Sequence, residues 1–279
     1  MAVQSQARSV QDYLEGVGRG CQLHEPPLPV LAMPTTAGTG AEATKNAVIS
    51  SYDPPYKRSL RDDRLMPRLA LVDPELSVSV PPTVTAASGM DAITQLLESY
   101  ISRRAKPIPQ ALCVQGLPLA WSALPTAFRE PTDRQARSRM AHAALLSGMA
   151  LANSGLGLAH GVAAALGVHA QVPHGLACAM LLPTALRVSA QVRQTELAEL
   201  AQMLLNLPGP LTAASAVQAL IEAVEALCAE LGLPRRLSQV GVRPEQIPTI
   251  VRDSYGSSMK ANPRDVPEPE LTALLEALL

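Results

Sequence analysis

Two histidines and an aspartate are the first residues in this chain whose types and spacing could do chemistry. His160 and His174 lie fourteen residues apart in "LAHGVAAALGVHAQVPHG", each followed by glycine and the second preceded by proline. One can ride on a helix while the other sits at the loop that turns back toward it. "SGMDAITQLLESY" places Asp91 and Gln95 four residues apart, one turn of a helix and on one face of it. Two imidazoles, a carboxylate and an amide oxygen suit Fe2+ or Zn2+ and leave room for a substrate oxygen. On spacing alone, packed histidines in an Ala-rich helical region remain the commoner reading.

The elements that must position these residues differ along the chain. Val30–Met33 is a short apolar run entering the Gly/Thr-rich turn "PTTAGTGAEAT", and Leu69–Val72 is a second such run closed by Asp73-Pro74. Both read as buried strands of a sheet with too few partners to close a layer. From Pro81 onward the period is 3.6. Thr132 with Gln135 fits a capping box for a helix reaching about Leu151. Val217, Leu220, Ile221, Val224, Leu227, Cys228 and Leu231 form an apolar stripe ended by Gly232 and Pro234. Pro118 is expected to kink or break its helix, and the tail from Pro267 reads as a last short helix. The fold class is mainly α: six to eight helices over residues 81–279, preceded over 1–80 by part of an α/β domain.

Composition narrows the function. At 279 residues, net charge −1 and 17% charged residues, nothing favours nucleic acid or a membrane surface. No run of 18 apolar residues lacks charges or breakers, and the N-terminus has no signal-peptide core, so a soluble cytoplasmic protein is expected. Aromatics at 3% give no stacking surface for bases. Cys21, Cys113, Cys178 and Cys228 form no CxxC pair, and the last three read as small buried hydrophobes.

Four ordered motifs, "PTTAGTGAEAT", "LVDPEL", "SGMDAITQLLESYIS" and "GLGLAHG…VPHGLACAMLLP", with "KANPRDVPEPEL" near the end, resemble the iron-containing (group III) alcohol dehydrogenases. The resemblance runs from about Tyr13 to the C-terminus. It implies the dehydroquinate synthase-like fold, in which a nucleotide-binding α/β domain precedes an all-helical metal domain. It also implies hydride transfer between NAD or NADP and an alcohol or aldehyde, and a homo-oligomer, a dimer. Carried over by position, the metal ligands fall on Asp91, Gln95, His160 and His174, with Asp91, His160 and His174 catalytic. Thr35, Thr36 and Thr39 then line the nucleotide, and Thr44, Asn46, Lys57 and Leu76 occupy further cofactor-contacting positions. Gly38 and Gly40 would let backbone approach a phosphate or ribose, and Lys57 would offset cofactor charge.

Three departures from the family pattern stand out. The family's "GGGS" pyrophosphate loop and the βα units before it, about 100 residues, have no counterpart, so weak cofactor binding is expected. Their absence would also expose an apolar strand edge, favouring aggregation or a covering partner. Gln95 stands where an imidazole is usual, leaving three strong ligands, which are chemically sufficient. Ala164 replaces a second histidine one turn after His160 and removes a proton relay. His169 is expected in a loop, His142 in a structural role and His24 in solvent. Two other readings stay open: a maleylacetate-type reductase of the same family, and a non-catalytic helical fragment that binds a partner.

Overall fold

Apolar residues at helical spacing, closed by proline starts and glycine or asparagine stops, produce eight α-helices among the residues the computed structural model describes. These are 9–207, 209 and 211–279, so residues 1–8 of the N-terminal stretch lie outside them. The helices are α1 (Pro82–Ile101), α2 (Pro107–Arg129), α3 (Arg134–Ala152), α4 (Leu158–His169), α5 (His174–Leu205), α6 (Ala213–Glu230), α7 (Ile247–Asp253) and α8 (Glu268–Glu276). The fold is mainly α, with a small β portion at the N-terminal end, as expected.

Two apolar cores share α5. Ile93, Leu96, Leu97, Leu117, Leu124 and Leu182 belong to the one that joins α1, α2, α3, α5 and α6. Leu158, Val162, Leu166, Leu181, Ile250 and Leu271 join α4, α5, α7 and α8 in the other. The stripe on α6 from Val217 to Cys228 is buried as its spacing requires. α3 is capped by Asp133, whose carboxylate accepts from Ala136 N at 2.8 Å, rather than by Thr132. α2 runs through Pro118 without a break. Pro118 and Val114, whose carbonyl the ring leaves without its helical donor, are both exposed, so water can take that acceptor. α2 and α5 are also long and apolar enough to cross a membrane by length and composition, and both pack within the helical bundle.

The β portion has two short sheets. β1 (Leu31–Ala32) and β4 (Leu69–Ala70) pair in parallel, and both expected strands are thus present but shorter. Leu31, Leu69 and Leu71 are each about half exposed, an apolar edge of the kind anticipated. The antiparallel hairpin β2 (Asn46–Tyr52) and β3 (Pro55–Arg61) was not foreseen. Its serines, lysine and arginines blur the apolar alternation, and only the Asp53-Pro54 turn signals it. Its inner face, Ala47, Ile49, Tyr56 and Leu60, packs on Tyr13, Leu14 and Leu23.

The Pro34–Gly40 loop is laid on the helical bundle through its glycines. Gly40 has φ +60°, and a Cβ there would stand 2.2 Å from Ala144 O; a Cβ on Gly148 of α3 would stand 2.0 Å from Gly40 O. A Cβ on Gly38 would meet Ser88 of α1 at 3.1 Å. Both loop glycines therefore serve close helix–loop packing. Helix propensity alone would make Gly148→Ala stabilising by up to about 1 kcal/mol. The contact with Gly40 reverses the sign: Gly148→Ala should lose about 1–3 kcal/mol in urea unfolding, and a raised midpoint would show that the loop does not pack this way.

Candidate metal centre

Three helices bring the chemistry together. Asp91 lies mid-way along α1, His160 in the first turn of α4, and His174 opens α5. α5 begins close against α1 because Gly175 carries no side chain: a Cβ there would lie 2.4 Å from Ala87 O and 3.2 Å from Asp91 Cβ. His160 Nε2 is 3.2 Å from Asp91 Oδ1, and His174 Nε2 is 4.0 Å from the same oxygen. The two rings stand edge to face with centroids 5.5 Å apart. Cys178, one turn after His174, places Sγ 3.8 Å from His174 Nε2. Donor atoms of Asp91, His160, His174 and Cys178 all fall within 4.8 Å of one another.

His160 is held from behind. Its Nδ1 is 2.7 Å from Glu98 Oε2, and the same buried carboxylate accepts from Gly157 N at 2.9 Å and Ala159 N at 2.7 Å. Asn262 Oδ1 takes Leu158 N at 3.0 Å. The first N–H groups of α4, which have no partner within their own helix, are thus satisfied by two buried side chains. A carboxylate behind a histidine fixes which ring nitrogen faces forward, the arrangement metal-bound histidines use.

Charge in the cluster is unevenly shared. Burial works against ionised Asp91, but the hydrogen bond from His160 and the neighbouring imidazoles hold its carboxyl below the usual range. Burial alone would lower His160; Cys178, Asp91 and Glu98 outweigh it and hold the imidazole well above its ordinary value. Burial, with His160 and Lys57 adding to it against Asp91, pushes His174 down to about 4. Burial pushes the Cys178 thiol up to about 12. The donor set, one carboxylate and two imidazoles buried together, fits a divalent cation.

His174 also lines a cavity of about 500 Å³ with Ser50, Tyr52, Lys57, Gly167, Gln171, Val172 and Pro173. Lys57 reaches it from β3 half-buried, and burial lowers its ammonium against the opposing charge of Cys178 and Asp91.

Comparison with known proteins decides the family. Residues 85–279 match the Fe-containing alcohol dehydrogenase family, C-terminal model, and residues 1–74 match the iron-containing alcohol dehydrogenase model. The chain belongs to the iron-containing alcohol dehydrogenase family. It is 38% identical to the 1-propanol dehydrogenase PduQ of Salmonella typhimurium, over 89% of this chain and 69% of that one. A 1,3-propanediol oxidoreductase superposes with TM-score 0.89 at 32% identity, covering 92% of this chain and 68% of its own. Sulfoacetaldehyde reductase from Bifidobacterium kashiwanohense, solved with NAD+, superposes at 0.85 with 29% identity over 98% and 69% of the two chains. The chain thus spans about two thirds of the length of these relatives. As a member of this family it is an oxidoreductase of the alcohol dehydrogenase type that works with NAD(H) and a divalent metal.

Of the residues singled out in the sequence, Asp91, His160 and His174 converge, and Lys57 joins them across the cavity. Gln95 is in register with Asp91, but its Nε2 donates to Thr39 O at 2.7 Å and Ser147 Oγ at 2.8 Å, tethering the Pro34–Gly40 loop to α1 and α3. Its amide nitrogen is committed to that tether, which leaves Oε1 as the atom it could offer a metal. Thr35, Thr36 and Thr39 are exposed on the loop. Thr44 is buried, its hydroxyl donating to Ala41 O at 3.0 Å in a local turn. Asn46 starts β2 and Leu76 is half-buried in the turn before α1. His169 is not a loop residue: it ends α4 with Nε2 2.6 Å from Asp253 Oδ2 of α7. His142 is exposed on α3.

Two residues were missed. Glu98 follows Asp91 by seven, two turns along the same face, and Cys178 follows His174 by four; both spacings were legible. Glu98→Gln puts an N–H₂ against the N–H groups of α4. It should cost the metal-free protein about 2–4 kcal/mol in urea unfolding and lower metal affinity roughly 10–100-fold in a chelator competition. Unchanged values in both would mean Glu98 neither caps α4 nor orients His160.

Proposed function

We propose that this chain transfers hydride between a small primary alcohol or its aldehyde and NAD(H), using a divalent metal held by Asp91, His160 and His174. The observation that carries the reading is the convergence of those three donors, from three helices, beside a cavity large enough for a small substrate. When bound, the metal would polarise the substrate C–O bond as a Lewis acid and the nicotinamide would take or give the hydride.

The chain's own residues do the rest. Asp91 and the two imidazoles set the charge and position of the cation, and Glu98 keeps His160 facing it. Lys57 supplies positive charge on the cavity wall. Thr35, Thr36 and Thr39 offer exposed hydroxyls to the nucleotide, with Asn46 and Leu76 as further contacts. Thr44 contributes by shaping the turn. With Ala164 one turn after His160, no side chain there takes the proton that alcohol oxidation releases. Residues 1–80 would form the nucleotide-binding part and 81–279 the helical metal-binding part. A cytoplasmic homodimer belongs to the same reading, by likeness to soluble metabolic relatives.

The test is turnover of 1-propanol and 1,3-propanediol with NAD+ by chain loaded with Fe2+ or Zn2+. Activity should vanish with a strong chelator and return with metal. His160→Ala should lower kcat/KM at least about 1,000-fold, some 4 kcal/mol. Turnover that survives both chelation and His160→Ala would overturn the reading.

A further inference from the structure

We infer that Cys178 is a metal ligand: its thiolate joins Asp91, His160 and His174 around the cation and biases the site toward Zn2+ over Fe2+. The inference rests on the metal reading above and adds a fourth protein ligand, so a substrate oxygen would enter as a fifth.

The three buried cysteines provide an internal comparison. Cys113 and Cys228 lie in the large apolar core of α1, α2, α3, α5 and α6. Neither belongs to a group of metal-ligating side chains among the described residues. Cys178 is as deeply buried, yet its sulfur faces a carboxylate and two imidazoles. That placement follows from sequence. His174 and Cys178 are one turn apart at the start of α5, so both side chains project from the same face toward α1 and α4.

The spacing suits coordination. Tetrahedral donors at zinc–nitrogen, zinc–oxygen and zinc–sulfur bond lengths are about 3.3–3.6 Å apart. The donor pairs here measure 3.2 Å for His160 and Asp91, 3.8 Å for Cys178 and His174, and 4.0 Å for His174 and Asp91. These are three of the six pairs, and all six lie within 4.8 Å. Gln95, the other candidate for a fourth position, holds Thr39 and Ser147 through its amide nitrogen, and its neutral amide oxygen is a weaker ligand than a thiolate. Ligation costs the thiol its proton, which passes to solvent, and leaves two negative donors against a divalent charge. A thiolate is a soft ligand, and a site with one thiolate, two imidazoles and a carboxylate favours zinc more than an all-nitrogen-and-oxygen site does.

Cobalt(II) substitution of the full chain tests this, because a cobalt–thiolate bond has a near-ultraviolet charge-transfer band that nitrogen and oxygen donors do not give. Metal-free wild type should bind one equivalent of Co2+ with that band. Cys178→Ser should still bind Co2+ but lose the band, and should lose more than about tenfold in Zn2+ affinity. Its Zn2+-over-Fe2+ preference should shrink with it. Cys113→Ala, with unchanged circular dichroism, should keep the band. Co2+ bound without the band in wild type, or a band that survives Cys178→Ser, overturns the thiolate ligand and leaves the three-ligand reading intact. No Co2+ bound by folded wild type overturns the three-ligand reading itself, and the thiolate ligand with it.

Discussion

A buried carboxylate at the start of a helix is the constraint on which this site depends. Glu98 is 3% exposed, a position a carboxylate occupies only when its lone pairs are filled. Here they are filled by backbone N–H groups of α4 and by the ring of His160. One group thereby caps a helix, balances its positive end and aims an imidazole. The cost of desolvating Glu98 is offset only while α4 stays in place, so the position of His160 is coupled to the integrity of the α1–α4 contact. A site built this way gains rigidity from the core rather than from loops.

α1 distributes three tasks over two turns. Asp91 faces the metal-ligating donors, Gln95 reaches the Pro34–Gly40 loop, and Glu98 holds α4. The spacing of four and three residues keeps all three on one side of the helix, fanned just enough to address different neighbours. Gln95 matters for this reason. A histidine there could not donate two hydrogens from one nitrogen to Thr39 O and Ser147 Oγ. The Pro34–Gly40 loop is thus fastened to the same helix that carries Asp91, with the Gly40–Gly148 contact closing the joint.

The helical half was legible because its signals are local: the α6 stripe, the proline start of α8 and the Asp91 register each follow from a period of 3.6. The β2–β3 hairpin was not, because one of its faces is polar and the apolar alternation that marks a strand is diluted by Ser50, Ser51, Lys57 and Ser59. The capping residue of α3 was misplaced by one, which is the usual scale of error when Thr132 and Asp133 are both able to cap. Asp91, His160 and His174 were found as chemistry. Glu98 drew no reading and Cys178 was read as a small hydrophobe, since only the tertiary contact of α1, α4 and α5 sets them beside His160 and His174.

That contact also explains why ionisable groups survive at the junction of two apolar cores. Asp91, Glu98, His160 and His174 would each be costly to bury alone. Together they are paired: the His160 ring lies between the Asp91 and Glu98 carboxylates, while burial pushes His174 down to about 4. A cation held by Asp91, His160 and His174 would place its positive charge among these same groups. The cluster is therefore pre-shaped for a metal by the same interactions that let the fold tolerate its charges without one.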